Sequence, residues 1–178
     1  MRRKLDAYYT QQKAVYALLP YLECLPEDTI YEPCCGELAI AKILYRSGLK
    51  NIYTNDINKK LRAHKHLDCI SFIELGGTEL PTPDWVITNP PFNRAFDVVT
   101  SSYRKVQRGM ALLLRRSFLE PTYERQDFLV KYPPTKQITL PRISFTDDGK
   151  MDSVTCDWYI WQKYESPQVI RIVPKFKE

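Results

Sequence analysis

The sequence predicts a single α/β domain over residues 1–178, built on a seven-stranded, mostly parallel sheet with helices on both faces and a C-terminal antiparallel hairpin. Three stretches predict it. Residues 84–88 form a short apolar run that stops at an amide and two prolines, residues 28–44 read as strand, tight turn and helix, and residues 51–58 read as a strand closing on an acid. Strand and helix patterns then alternate along the chain, as in a parallel sheet covered on both sides.

A length of 178 residues fits one domain, and 44% apolar content can bury a sizeable core. The net charge of +5 and pI near 8.9 permit a polyanionic partner without demanding one. No apolar run approaches a membrane span, and Met1-Arg2-Arg3-Lys4-Leu5-Asp6 lacks the hydrophobic stretch of a secretory signal. The expectation is a soluble cytoplasmic protein with no membrane partner. Five cysteines, with Cys34 and Cys35 adjacent, form neither a zinc spacing nor a disulfide framework and read as reduced, mostly buried thiols. No metal ligand set is expected, because His64 and His66 stand in a basic, helix-like stretch without partners.

Taken in order, Val15, Leu18, Leu19 and Leu22 recur at helical spacing within residues 9–22, with Thr10 in the place of an N-cap. Ile30 and Tyr31 supply a first strand. Leu38, Ala41, Ile43 and Leu44 supply a helix face ending near Gly48, and Gly36 at the turn between lets a ligand approach the backbone. The second strand ends at Asp56, 24 residues beyond Glu32. That is close to the interval at which an acid reaches ribose hydroxyls, although an acid before Asn58-Lys59-Lys60 also suits a helix cap. Lys59, Lys60, Arg62 and Lys65 follow; such a run is usually a solvated helix face, with nucleic-acid contact the alternative. Residues 69–74 read as a third strand before Gly76-Gly77.

Trp85, Val86 and Ile87 lack polar alternation, as in a strand buried on both faces. Pro90 and Pro91 must end it, since neither donates a ladder hydrogen bond and Pro91 holds Pro90 extended. A stiff exit from a strand's carboxyl end can set the Asn89 side-chain carbonyl and the Pro90 backbone carbonyl as converging acceptors, with Phe92 as a stacking surface. Such a set suits a planar group bearing an amine.

A helix over residues 95–106 closed by Gly109, a buried strand over 110–114, and a helix over 121–132 with Pro121 at its start complete the alternation. Arg115 and Arg116 fall on the same edge as Asn89, where they can bind an anion or pair with Glu120 and Glu124. Residues 136–140 and 156–161 are strands joined through a polar loop at 146–153, and residues 167–173 offer an edge strand.

Thr88-Asn89-Pro90-Pro91-Phe92 resembles the Asn-Pro-Pro-aromatic motif of class I S-adenosylmethionine-dependent amino-methyltransferases, best known from adenine-specific DNA enzymes. Glu32-Pro33-Cys34-Cys35-Gly36 is similar to the first cofactor motif of that family, except that Leu38 stands where a second glycine is usual. The resemblance implies a Rossmann-like class I methyltransferase fold with S-adenosylmethionine as cofactor. It places Thr10, Glu32, Pro33, Cys34, Gly36, Asp56, Phe72 and Asn89 at the cofactor, Phe72 as a wall of its adenine pocket. It places Asn89, Pro90, Pro91 and Phe92 at the acceptor amine and Trp158 on the substrate side; Arg94 and Arg115, read from their place beside Asn89, are the further substrate-side candidates. In the family Thr10 is often followed by proline; here Gln11 follows.

The implied reaction is methyl transfer to an exocyclic amine, that of adenine in DNA before that of adenine in RNA. A protein glutamine amide presents a similar planar amine, and a non-catalytic binding protein on the same fold is the remaining alternative. No separate target-recognition domain is expected. Specificity would then come from loops near Asn93-Arg94 and residues 146–153, or from a protein partner.

Overall fold

In the computed structural model, residues 10–120, 122–141 and 155–165 are described. Pro121, the loop expected at 146–153 and the edge strand expected at 167–173 lie outside them. The described elements are α1 (Gln12–Leu18), β1 (Ile30–Glu32), α2 (Ala39–Arg46), β2 (Ile52–Thr54), α3 (Cys69–Glu74), β3 (Trp85–Thr88), α4 (Ala95–Lys105), β4 (Gly109–Arg115), α5 (Tyr123–Lys131), β5 (Lys136–Thr139) and β6 (Cys156–Gln162).

Six strands pair in the order β2-β1-β3-β4-β6-β5. The first four are parallel, and β6 runs antiparallel to both β4 and β5, so the late strands form the expected antiparallel pair. The expected seventh strand is missing among the described residues because 69–74 is a helix. Asp68 caps α3, its Oδ1 accepting from the Ile70 N–H at 3.0 Å. The residues it buries, Cys69, Phe72 and Ile73, follow the i, i+3, i+4 rule of a helix and not the alternation of a strand.

Alternation along the strands divides the core in two. Ile30, Trp85, Ile87, Ala111, Leu113, Trp158 and Ile160 face α1 and α2; Tyr31, Val86, Met110, Leu112, Tyr159 and Trp161 face α3, α4 and α5. β3 is buried at all four positions, as its composition required.

Four local expectations are corrected. α1 begins after Gln11, so Thr10 is not its cap, and the helix tightens into a 3-10 turn at Leu19–Tyr21, where Pro20 has no N–H to give. Residues 59–66 are turns and bends; the backbone N–H groups of His64 and Lys65 donate instead to the Thr54 carbonyl at 3.0 and 3.2 Å. Gly109 does not close α4 but opens β4 against the Trp85 ring, where a Cβ would lie 2.7 Å from the ring and 2.6 Å from the Trp161 carbonyl. Arg116 pairs with neither Glu120 nor Glu124. It grips the fully buried Asp157 with both Nε and Nη2, at 3.0 and 2.9 Å.

Candidate functional site

The sheet changes direction between β1 and β3: β2 lies outside β1, while β3 and β4 extend the other way. In an open α/β sheet that switch is where a crevice opens beyond the carboxyl ends of the strands. The loops leaving β1, β2 and β3 and the end of β4 carry Glu32 to Leu38, Asp56, Asn89 to Phe92 and Arg115 to this edge.

Glu32 is 1% exposed at the end of β1, and its Oε2 accepts from the Ala41 N–H of α2 at 3.0 Å. Burial raises its pKa well above the usual 4.5; the Ala41 hydrogen bond opposes this and the nearby Asp56 adds to it. Its second oxygen takes no donor among the described residues, which suits a buried cation. The loop beyond is left-handed twice, at Gly36 (φ 51) and at Leu38 (φ 65), the only positive-φ residue other than glycine among those described. Leu38 therefore keeps the backbone conformation that a second glycine would adopt, at the cost of strain.

Asp56 closes the loop from the other side. Its Oδ2 accepts from the Gly36 N–H at 2.9 Å and its Oδ1 from the Asn58 N–H at 2.8 Å. A carboxylate has about four lone-pair sites, so both oxygens retain capacity for hydroxyl donors. The bond to Asn58 closes a local turn and is not the helix cap that the acid could also have formed, since no helix lies between β2 and α3; the sequence carries no sign of the brace on Gly36.

Asn55 was missed altogether. It is fully buried; its Nδ2 donates to the carbonyls of Pro33 and Leu67, each at 3.0 Å, and its Oδ1 accepts from the Leu67 N–H at 2.8 Å. It thus ties the loop after β1 to the segment before α3. The signal in the sequence was an amide immediately before Asp56, in a place where only a partnered polar group can be buried.

At the end of β3, Asn89 is 8% exposed and its Nδ2 donates to the Thr10 hydroxyl at 3.1 Å. An amide accepts only through its oxygen, so Oδ1 is the atom that an incoming N–H would meet. Pro90 is buried, and its carbonyl accepts no hydrogen bond among the described residues. Pro91 turns the chain into a 3-10 turn at Phe92–Arg94, fixed by the Arg94 N–H on the Pro91 carbonyl at 2.9 Å. Phe92 is half-buried, with the Arg115 guanidinium 4.4 Å over its ring, so these two candidates are brought together as a stacked pair.

Other candidates sit elsewhere. Arg94 binds Asp68 and Asp97, each at 3.0 Å, so its charge is already met. Cys34 turns inward, and the Cys69 thiol that it hydrogen-bonds raises its pKa. Phe72 is not a pocket wall here: it is fully buried in α3, its ring 4.9 Å from that of Tyr31. Nor is Trp158, whose fully buried indole donates to the Ala14 carbonyl at 2.8 Å and fastens α1 to the sheet. Aromatic strand residues bury large apolar area, and here that outweighed a place at the rim.

Among the described residues no His, Cys, Asp and Glu cluster could hold a metal ion, and no helix is long and apolar enough to cross a membrane.

This architecture is shared with solved methyltransferases. The structure is similar to a type I restriction-modification methyltransferase subunit from Streptococcus thermophilus (TM-score 0.68, 16% identity, 89% of this chain and 45% of that one). It also resembles a class I S-adenosylmethionine-dependent methyltransferase from Listeria monocytogenes (TM-score 0.64, 11% identity, 96% and 66%). A third is a dimethyladenosine transferase from Plasmodium falciparum (TM-score 0.64, 14% identity, 88% and 63%). The chain thus has a methyltransferase-like α/β fold, with a six-stranded mixed sheet. It spans 45% of the first of these structures and about two thirds of the other two. No protein-family model and no curated protein matches the chain.

Proposed function

We propose that the chain is an S-adenosylmethionine-dependent methyltransferase acting on an exocyclic amine, that of adenine in DNA. The observation that carries this reading is the end of β3: a buried Asn89 amide oriented by Thr10, followed by the Pro90 carbonyl and the Phe92 ring. Two acceptors take the two N–H groups of a planar amine and the ring sets its plane, so that the nitrogen lone pair is directed out of the base.

The cofactor residues fit the group they would hold. Glu32 offers a buried carboxylate oxygen to an ammonium, Gly36 offers close backbone approach, and Asp56 offers spare acceptor sites to ribose hydroxyls. When bound, the cofactor supplies a sulfonium methyl that is already electrophilic, so the chain's own work is to hold donor and acceptor in line and to exclude water. A base in duplex DNA must leave the stack to reach Asn89; a single-stranded one does so at lower cost.

The test is transfer of a radiolabelled methyl group to duplex DNA, to single-stranded DNA, to RNA and to total protein. Nuclease-sensitive label on adenine of DNA supports the reading. Label confined to RNA or to protein glutamine replaces the acceptor, and no transfer to any of them rejects the enzyme.

A further inference from the structure

A second site lies on the flank of the sheet. Because residues 69–74 fold as a helix, β2 is left at the edge among the described residues, with the His64 and Lys65 N–H groups on the carbonyl of its last residue, Thr54. Beside it, between α2 and the turn at Arg62, runs a groove of about 570 Å³ that begins at Leu38. Its lining includes Lys42, Arg46, Lys50 and Arg62 and contains no Asp or Glu.

All four cations are exposed, and none forms an ion pair among the described residues. Lys42 Nζ donates to the Glu37 carbonyl at 3.0 Å, and Lys50 Nζ to the Tyr45 carbonyl at 2.7 Å while lying 3.6 Å over the Tyr45 ring. These partners are neutral, so they pre-position the ammonium groups without cancelling their charge. By contrast Arg94, Arg108, Arg116 and Lys136 each meet a carboxylate. Lys42 and Arg46 stand one helical turn apart on α2, with a spacing of about 6 Å along the axis. Four uncompensated cations along a groove match a regularly spaced polyanion better than a single small anion.

We propose that this groove holds the phosphodiester backbone of DNA. Leu38 belongs both to the groove and to the loop that carries Gly36, so a strand laid in the groove passes beside the cofactor-motif loop at the switch point. This deepens the methyl-transfer reading, on which the choice of DNA as occupant rests. A chain that binds backbone through its own sheet flank holds its substrate by charge and not by base sequence.

The experiment is fluorescence anisotropy with a labelled duplex DNA over a range of salt concentrations. The wild type is compared with the triple variant Arg46→Ala, Lys50→Ala, Arg62→Ala and with a charge-matched control, Arg104→Ala, Lys131→Ala, Lys163→Ala, on the other side of the sheet. Circular dichroism confirms that both triples are folded. The groove triple is expected to lose tenfold or more in affinity, and the slope of log affinity against log salt to become shallower by about three; the control should change less than threefold. Equal losses in the two triples, an unchanged groove triple, or stronger binding of a matched single-stranded RNA would overturn the proposal. The readout needs no methyl transfer. A groove-dependent DNA affinity in a protein that methylates nothing would leave the groove standing and remove the enzyme; DNA methylation at wild-type KM by the groove triple would do the reverse.

Discussion

Thr10 and Asn89, 79 residues apart in the chain, meet in a 3.1 Å hydrogen bond in which the Asn89 Nδ2 donates to the Thr10 hydroxyl and so tethers the carboxamide. Without it the carboxamide can rotate, and a misplaced acceptor is costly where positioning supplies the catalysis. Thr10→Ala should lower the methyl-transfer rate about tenfold, which corresponds to about 1.4 kcal/mol. Thr10→Ser should restore it, and cofactor affinity by calorimetry should stay within about twofold. A fall in cofactor affinity with an unchanged rate would move Thr10 from the acceptor to the cofactor.

Glu32 makes stability depend on pH. Its folded pKa is raised above 4.5 by burial, so in the window from 4.5 up to the folded value the native chain holds a proton that the unfolded chain has released. The unfolded state then binds fewer protons, and stability falls as pH rises through that window. Glu32→Gln keeps an acceptor for the Ala41 N–H and removes the ionisation. Its urea midpoint should gain on the wild type from pH 4.5 upward and then level off; parallel curves would contradict the assignment.

Leu38 pays for a left-handed conformation, φ 65. In an ordinary helix Gly is about 0.5–1 kcal/mol less stable than Ala. At this position the order should reverse, with Leu38→Gly more stable than Leu38→Ala by about 1 kcal/mol. Thermal denaturation of the two variants, which remove the same side chain beyond Cβ, checks it.

Gly109 is held to glycine by its neighbours and not by its dihedral angles. A methyl group would press on the Trp161 carbonyl at 2.6 Å and the Trp85 ring at 2.7 Å, neither of which is the tip of a flexible chain. Gly109→Ala should destabilise by about 1–3 kcal/mol in chemical denaturation. No loss would mean that β4 and β6 separate there without penalty.

Much of this was legible before the structure. Trp85-Val86-Ile87 read as a buried strand that two prolines had to end, and residue patterning gave the strand, turn and helix over residues 28–44 and the strand before Asp56. What was not legible depended on partners far along the chain. Residues 69–74 have β-forming residues, yet the Asp68 cap and burial of Phe72 against Tyr31 made them a helix. Aromatic residues such as Trp158 and Phe72 suit a pocket wall, but both are fully buried, where the same area contributes more in the core. The Thr10–Asn89 bond is tertiary, and no local pattern announces it.

Asn89→Ala and the wild type are best compared in two assays on the same preparations: calorimetric titration of S-adenosylmethionine and labelled methyl transfer to adenine in DNA. Cofactor affinity should stay within a few-fold of the wild type and transfer should fall about 100-fold or more, on the order of 2.7 kcal/mol of lost transition-state stabilisation. Transfer by Asn89→Ala at the wild-type rate, or a wild type that binds no S-adenosylmethionine, would contradict the proposed function.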